Sequence, residues 1–484
     1  MTNSSIQERN DRLAKLEKIS NPYPSRVKRS HKIAEVLESF SKLEADKTLV
    51  SLTGRVMSFR SHGNLSFLNL KDSSGEIQVA LTKNDLGAEE YKSFLKIIDV
   101  ADFLELSGTC FVTHKGQNSL LATNYKILSK ALLPLPEKWH GLKDEEEKLR
   151  KRYLDLLLND ELHQLFIKKA KFWQVVRDFM NKHGFLEVET PVLETTTGGA
   201  EARPFKTYHN DFDLDVYLRI SVGELWQKRL MAAGYEKTFE IGKIFRNEGS
   251  SPDHLQEFTN MEFYWAYANY EDGMKLSQEL YREIAVQVFG TTKFKTKDYE
   301  YDLASDWLRI DYREEVLKQT GIDVLKASEE EMIKKIEELG VKYDGDSRER
   351  LTDTLWKYCR KSIAGPAFLI NHPKLVSPLS KSKDDNPELT ERFQIIIAGS
   401  EVGNGFSELN DPLDQRKRFE EQQKLIDRGD DEAMMPDWDF VEMLEHGMPP
   451  ACGFGFGERL FSFLVDKPIR EATLFPLLKP KKNE

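Results

Sequence analysis

The stretch from residue 239 to residue 267 constrains the fold more than any other part of this sequence. Two runs with strand character, 239–246 and 258–266, flank a polar loop, which predicts an antiparallel hairpin with a long tip. Because alternate residues of a strand share a face, one face would gather these side chains: Glu240, Arg246, Glu248, Phe258, Glu262 and Tyr264. That face could bind a nucleotide and an ammonium compound, although charges on an antiparallel sheet are also common on a solvated face.

Length and composition limit the organisation of the chain. Its 484 residues suggest two or three domains, at roughly 150 residues per domain. The sequence contains 70 Lys and Arg residues and 81 Asp and Glu residues, a formal net charge of −11. Any contact with nucleic acid must therefore depend on a local patch rather than on the charge of the whole chain. The three cysteines lie far apart without a C-x-x-C pair, which argues against a disulfide framework or a cysteine zinc site. No stretch resembles a signal peptide or a membrane span, so we expect a cytoplasmic protein without a membrane partner.

The N-terminal part predicts a small β-barrel behind a helical extension. Residues 1–48 contain a charged helix and a basic stretch, and residues 49–130 show five short strands with a helix between the third and the fourth. This layout is typical of an OB-fold barrel, which often binds single-stranded nucleic acid through aromatic stacking. Arg60, Phe67 and Gln78 would be its exposed readers. The alternative is that Phe67 is a core residue of the barrel.

A second domain follows a linker at residues 131–150 and occupies residues 151–484. Apolar residues that recur at spacings of three and four positions predict an amphipathic helix that stops at Gly184. Later segments add a small-residue loop with Gly198 and Gly199, and a short helix that begins near Glu224. Residues 296–390 are rich in charge and predict a peripheral helical insertion, to which no chemistry is assigned.

Three segments of the second domain carry a resemblance to a known family. There is no G-x-G-x-x-G fingerprint in a β-α-β unit and no phosphate-binding P-loop, so any nucleotide must bind another kind of site. Residues 184–191 (GFLEVETP), residues 245–248 (FRNE) with Phe258, and residues 453–459 (GFGFGER) resemble the three signature motifs of class II aminoacyl-tRNA synthetases. Further stretches, including GGAEARPF, GSEVGNGFSELNDPLDQ and PIREATLFPLLKP, are most similar to lysyl-tRNA synthetases of the bacterial type.

The resemblance implies an α+β protein with two domains and a defined reaction. An N-terminal OB-fold anticodon-binding barrel would precede a class II catalytic domain with an antiparallel β-sheet flanked by helices, and two copies would form a homodimer. The implied activity is ATP-dependent ligation of L-lysine to the 3′ end of tRNA(Lys) through a lysyl-adenylate. Two alternatives stay open here: a class II synthetase for aspartate or asparagine, and a non-catalytic tRNA-binding paralogue.

The resemblance also implies roles for individual residues. Arg246 would span the amino-acid carboxylate and the α-phosphate, and Arg459 would lie across the adenine opposite Phe258; both arginines would be catalytic. The implied ATP-binding residues are Arg246, Glu248, His254, Phe258, Glu401 and Arg459. The implied lysine-binding residues are Gly199, Glu224, Arg246, Glu262, Tyr264, Asn404 and Glu408. Glu401 and Glu408 would hold Mg²⁺, which prefers carboxylates together with substrate phosphates.

The anticodon would be read by Arg60, Phe67 and Gln78, with Phe67 stacked on the central base. Three positions depart from the pattern of the family: Gln117, Asp253 and Glu458.

Overall fold

The computed structural model describes residues 3–136, 144–200, 202–247, 249, 251, 254–343, 345–429 and 433–481. The chain divides into two compact units, Met1–Asp144 and Glu145–Glu484. Among the described residues, the helices are too short or too polar to cross a bilayer.

The N-terminal unit is a closed five-stranded barrel, as the sequence predicts. Its helices are α1 (Asn3–Leu16), α2 (Ile33–Glu38), α3 (Phe40–Ala45), α4 (Lys83–Leu86) and α5 (Ala88–Ile97). Its strands are β1 (Val50–His62), β2 (Leu65–Lys71), β3 (Glu76–Thr82), β4 (Phe103–Val112) and β5 (Asn118–Ser129), and they pair in the order β1-β2-β3-β5-β4. Helices α4 and α5 stand between the third and fourth strands, so the OB-fold prediction is confirmed.

The helices of the C-terminal unit are α6 (Glu145–Arg150), α7 (Arg152–Leu158), α8 (Asp160–Lys182), α9 (Glu224–Ala232), α10 (Tyr270–Ile284), α11 (Tyr312–Thr320), α12 (Glu329–Glu338), α13 (Arg348–Cys359), α14 (Pro412–Asp427), α15 (Trp438–His446) and α16 (Arg459–Leu464). Its strands are β6 (Leu186–Glu187), β7 (Leu193–Glu194), β8 (Lys206–His209), β9 (Leu214–Leu218), β10 (Lys237–Phe245), β11 (Glu257–Ala266), β12 (Lys293–Thr296), β13 (Tyr299–Asp302), β14 (Leu308–Asp311), β15 (Ala367–Ile370), β16 (Arg392–Ile397), β17 (Ser400–Ser407) and β18 (Ala451–Gly457).

An eight-stranded sheet organises the C-terminal unit, with the strand order β14-β15-β16-β17-β18-β11-β10-β6. Neighbouring strands are antiparallel except for β14 with β15 and β6 with β10, which are parallel. The predicted hairpin is β10 with β11, and Glu240 pairs with Glu262 across it. Met261 and Phe263 point to the other face and are fully buried in the largest hydrophobic core, where residues of α8 and α10 also pack.

The segment 296–390 differs from a purely helical insertion. It contains α11, α12 and α13, but β14 and β15 also lie in it and form one edge of the central sheet. Both strands are four residues long. A run this short does not show enough alternation to be told from the surrounding charged helices by periodicity, which is why the sequence did not reveal these strands.

Candidate active site

A cavity of about 570 Å³ lies on the polar face of the central sheet. Eleven of the residues implied for ATP and lysine binding line it: Gly199, Glu224, Arg246, His254, Phe258, Glu262, Tyr264, Glu401, Asn404, Glu408 and Arg459. Glu248 lies outside the described residues. Glu240 shares the hairpin face but has a structural role. It is buried, pairs with Arg219 and accepts hydrogen bonds from Thr190.

Glycines on β18 make room for the cavity. Gly453, Gly455 and Gly457 line it, and the side chains of Phe454 and Phe456, which alternate with them, are buried in the largest hydrophobic core. A Cβ atom at Gly453 would lie 2.2 Å from Oε1 of Glu408, and one at Gly455 would lie 2.7 Å from Cγ of Glu262. The alternating GFGFG sequence therefore lets side chains of the neighbouring strands lie across β18.

One end of the cavity combines two guanidinium groups with an aromatic ring. The guanidinium carbon of Arg246 lies 5.6 Å from the centre of the Phe258 ring, and Arg246 donates to the carbonyl of Ile220 at 3.4 Å. Arg459, the first residue of α16, donates to the carbonyl of Glu401 at 3.5 Å. His254 is exposed, and its Nδ1 lies 2.7 Å from the hydroxyl of Ser251. Fixed cations beside a flat ring suit a nucleotide, which offers phosphates and a planar base.

The other end is acidic and buried. We call Glu224, Glu262 and Glu408 the carboxylate cluster; their exposed fractions are 6%, 6% and 1%. Glu262 Oε1 accepts hydrogen bonds from the backbone N–H of Val222 at 2.8 Å and from Asn260 at 3.0 Å, and Oε2 accepts from the hydroxyl of Tyr264 at 3.2 Å. Burial, reinforced by the charge of Glu224, raises the pKa of Glu262 to about 7.

Lys228 is a member of this site that the sequence analysis missed. It is 1% exposed, and its Nζ lies 3.0 Å from Glu224 Oε1 and 2.5 Å from Glu408 Oε2. Burial alone would lower the pKa of Lys228, but the charges of Glu224 and Glu408 outweigh it, so the pKa lies above its ordinary value. The sequence signal that could have revealed Lys228 is its position four residues after Glu224 on α9, which places both side chains on one helix face. The same spacing is equally common on exposed helices, so it does not identify a buried site.

The two carboxylate oxygens of Glu408 have different surroundings. Its Oε2 contacts Lys228, whereas Oε1 is buried and has no hydrogen-bond partner among the described residues. Burial raises the pKa of Glu408 to about 8, and Lys228 acts in the opposite direction. A buried carboxylate with an open oxygen is suited to receive a cationic group from a ligand.

Glu401, the other residue implied as a metal ligand, has a different neighbour. Its Oε2 accepts a hydrogen bond from Gln394 Nε2 at 2.9 Å, and Gln394 Oε1 is buried without a partner among the described residues. A carboxylate beside an open amide oxygen fits Mg²⁺, which takes oxygen ligands and completes its shell with water and phosphate. No cluster of three or more His, Cys, Asp or Glu side chains suited to a metal occurs in the part of the chain described here.

Two further residues shape the amino-acid end. Asn404 Oδ1 accepts a hydrogen bond from Arg392 Nε at 2.9 Å, so Arg392, also missed from the sequence, orients this amide. Gly199 has φ +89°, and a Cβ there would lie 2.6 Å from the hydroxyl oxygen of Ser221 and 2.8 Å from Glu224 Oε2. Both the backbone conformation and the space therefore require glycine.

On the barrel, the three implied anticodon readers lie on adjacent strands. Arg60 of β1 pairs with Phe67 of β2, and the guanidinium carbon lies 5.9 Å from the centre of the ring. Phe67 is half-buried, outside the barrel core that contains its neighbour Leu68. Gln78 of β3 is half-buried and accepts a hydrogen bond from Ser119 at 3.1 Å. The three side chains thus belong to the outer surface rather than to the core.

The three departures from the family pattern have separate outcomes. Asp253 lies outside the described residues, and Gln117 lies in the turn between β4 and β5. Glu458 is buried and pairs with Lys169 at 2.8 Å, so it ties the start of α16 to α8.

Comparison with known proteins agrees with both units. The family described as tRNA synthetases class II (D, K and N) matches residues 144–479, and an OB-fold nucleic acid binding domain matches residues 50–128. A lysine–tRNA ligase of Thermotoga maritima is 45% identical over 469 residues, which cover 96% of this chain and 93% of the relative.

Two other relatives have the same name. The lysine–tRNA ligase of Roseiflexus castenholzii is 44% identical over 480 residues, 97% of this chain and 98% of the relative. That of Thermosipho africanus is 42% identical over 482 residues, 98% of this chain and 96% of the relative. Because these matches span both units and the cavity has the residues that the motifs supply, the chain belongs to the lysine–tRNA ligases, within the class II tRNA synthetases.

Proposed function

We propose that this protein ligates L-lysine to the 3′ end of tRNA(Lys) in two steps, with the residues of the cavity in defined roles. The observation that supports it best is the carboxylate cluster, which is buried in the same cavity as Arg246. An amino acid with two ammonium groups and one carboxylate needs this combination of charges. A site specific for aspartate would need positive charge where this cavity has the carboxylate cluster, so the cluster argues against that alternative.

The first step joins the lysine carboxylate to the α-phosphate of ATP. A carboxylate oxygen attacks the α-phosphorus in line, pyrophosphate leaves, and lysyl-adenylate remains bound. Both reactants are anionic, so cations must neutralise their approach and hold them in position. Arg246 would bridge the two anions, Arg459 would lie across the adenine opposite Phe258, and His254 would meet the terminal phosphates.

The second step passes the lysyl group to tRNA. A hydroxyl of the terminal ribose attacks the carbonyl carbon of the adenylate, AMP leaves with the bonding electrons, and the proton of the hydroxyl passes to solvent. No covalent enzyme intermediate is required. The residues of the protein position and neutralise the reactants.

The lysine side chain would be recognised by charge. A buried ammonium is tolerated only against carboxylates and other acceptors. Glu408 and Tyr264 would receive the ε-ammonium, and Glu224 with the Gly199 carbonyl would receive the α-ammonium. Glu262 and Asn404 complete the wall of this pocket.

A magnesium ion would be held by Glu401, with Gln394 Oε1 as a neutral second oxygen; the role of Glu408 as a metal ligand stays a prediction. When bound, Mg²⁺ would neutralise phosphate charge and orient the triphosphate.

The barrel would bind the anticodon, and two copies of the chain would pair in the cytoplasm. Stacking of a base on Phe67, beside Arg60 and Gln78, would give the barrel its contact with unpaired nucleotides. A dimer around α8 and the first signature motif is supported by apolar side chains in and beside these segments that are 42–52% exposed: Ile167, Leu186, Val192 and Leu193. Light scattering would test the dimer by measuring the molar mass in solution.

Exchange of pyrophosphate into ATP, measured with each amino acid separately, tests the proposed function. Exchange that depends on lysine is expected. Exchange with aspartate or asparagine but not lysine would contradict it, and no exchange with any amino acid would favour the non-catalytic alternative. Arg246→Ala should abolish the exchange, whereas Arg416→Ala, which removes a surface arginine paired with Glu445, should not.

A further inference from the structure

An ammonium group that belongs to the protein is paired with two of the carboxylates that line the acidic end of the cavity. Lys228 is one of the largest fully buried side chains, although lysine is almost never fully buried unless it is paired. Three rings surround its Nζ, with centres 5.3 Å (Phe406), 5.8 Å (Phe440) and 5.9 Å (Tyr264) away. This enclosure leaves the ammonium with the two carboxylates as its ionic partners. A buried ion pair contributes little net stability, so its pairing with two carboxylates that line the cavity points to a role in recognition.

The contacts of Lys228 divide each carboxylate into a bound oxygen and an outer one. Lys228 takes Oε1 of Glu224 and Oε2 of Glu408. The remaining oxygens lie beside glycines that line the cavity: Glu224 Oε2 lies 2.8 Å from a Cβ built at Gly199, and Glu408 Oε1 lies 2.2 Å from one built at Gly453. One ammonium group therefore holds one oxygen of each carboxylate and leaves the other oxygen beside a glycine of the cavity lining.

We propose that Lys228 is a positioning residue that determines specificity for an amino acid with a second ammonium group. It fixes the rotamers of Glu224 and Glu408 so that one outer oxygen meets the α-ammonium and the other meets the side-chain ammonium. This inference rests on the proposed function and deepens it. Lys228 itself touches no reacting atom; it acts through the two carboxylates.

The charge of the pocket agrees with this role. When all three acids are ionised, a state that bound ammonium groups would favour, three carboxylates and one ammonium leave an excess of two negative charges in the carboxylate cluster. Lysine brings two ammonium groups, and its carboxylate would be neutralised separately by Arg246. An amino acid with a neutral side chain would leave a buried charge unpaired, which a polar site of this kind rejects strongly.

The test is lysine-dependent pyrophosphate exchange by the full-length enzyme with Lys228→Met and Lys228→Arg. Because charge-assisted contacts depend on the orientation of the carboxylates, Lys228→Met should raise the KM for lysine at least about 10-fold and leave the KM for ATP unchanged. Lys228→Arg should restore much of the loss. The preference for lysine over ornithine, which is one methylene shorter, should also fall, since loosely held carboxylates discriminate poorly by length.

A neighbouring ion pair supplies the matched control. Arg229 lies next to Lys228 on α9 and pairs with Asp437 at 3.0 Å, outside the cavity lining. Arg229→Met should change thermal stability without changing the KM for lysine or the preference over ornithine. If Lys228→Met behaves in the same way while the wild type exchanges with lysine, the inference is overturned and the proposed function stands. A wild type that does not exchange with lysine would instead overturn the proposed function.

Folding failure of Lys228→Met is covered by a double variant. Lys228→Met with Glu408→Gln removes both members of one buried pair, which is often tolerated better than removing one. Because Lys228 also fixes Glu224, the double variant should show a higher KM for lysine and a weaker preference over ornithine than Glu408→Gln alone. A double variant that matches Glu408→Gln alone in both quantities would contradict the inference.

Discussion

The two binding surfaces of this protein use side chains in opposite ways. In the carboxylate cluster, each acid is at least 94% buried and is held by specific partners such as Lys228 and Tyr264. On the barrel, Arg60 is exposed, and Phe67 and Gln78 are half-buried. A site for a small charged ligand must be organised before binding, because buried charges tolerate no misplacement. A surface for flexible nucleotides can rely on stacking, which tolerates movement.

The comparison predicts its largest effect at Glu408. Glu408→Gln keeps the shape of the side chain but removes a buried negative charge and leaves Lys228 with Glu224 alone. A charge-assisted hydrogen bond is worth about 1.5–3 kcal/mol, so the KM for lysine in pyrophosphate exchange should rise at least about 10-fold. Glu445→Gln, which changes an exposed ion-paired carboxylate, is the control. Normal lysine activation by Glu408→Gln would show that the cluster does not hold the side chain.

The second prediction concerns stacking on the barrel. Phe67→Ala should weaken tRNA charging by about 1–3 kcal/mol in kcat/KM for tRNA, the value of one stacked base, and leave pyrophosphate exchange intact. Phe103 offers a matched control, because it is 36% exposed and carries Arg55 at 4.1 Å from its ring on another part of the same barrel. Phe103→Ala should charge tRNA normally. Equal losses in charging and exchange for Phe67→Ala would mean that the ring supports the fold instead.

The two regions also differ in how much their sequence revealed. Alternation along β10 and β11 assigned the faces of the hairpin correctly, because each residue's direction follows from strand geometry. The barrel was equally readable, since its strands are separated by turn signals. Both predictions concern neighbours along one element, where local rules decide.

The partners of the cluster were not readable in this way. Lys228 meets Glu408 across 180 positions of sequence, and Gln394 meets Glu401 only because β16 and β17 pair with a particular register. Contacts of this kind depend on tertiary packing, which propensity and periodicity do not describe. Glu240 was predicted on the binding face from local alternation alone. Its ion pair with Arg219, which also depends on tertiary packing, gives it a structural role instead.

The third prediction is a pH dependence that only the buried region should show. Burial raises the pKa of Glu262 from its ordinary value of 4.5 to about 7, so this carboxyl is protonated at pH 6 and ionised at pH 8. Only the ionised form attracts an ammonium, so the KM for lysine should fall about 10-fold between pH 6 and pH 8. Glu262→Gln should bind lysine more weakly and keep only the part of the dependence that Glu408 contributes, whose pKa burial raises to about 8. A KM that is flat over this range in the wild type would contradict the prediction.

The smallest effect is expected at Tyr264, whose hydroxyl is a neutral donor to Glu262 Oε2 at 3.2 Å. Tyr264→Phe removes a hydrogen-bonding hydroxyl but no charge, so the KM for lysine should rise less than in Glu408→Gln, about 2- to 10-fold, while the KM for ATP stays unchanged. Tyr281→Phe is the matched control, because its hydroxyl is also buried and donates to the Val402 carbonyl at 2.7 Å, and Tyr281 itself does not line the cavity. It should lower stability by a similar amount without changing either KM. An unchanged lysine KM in Tyr264→Phe would place the side-chain ammonium elsewhere in the cavity.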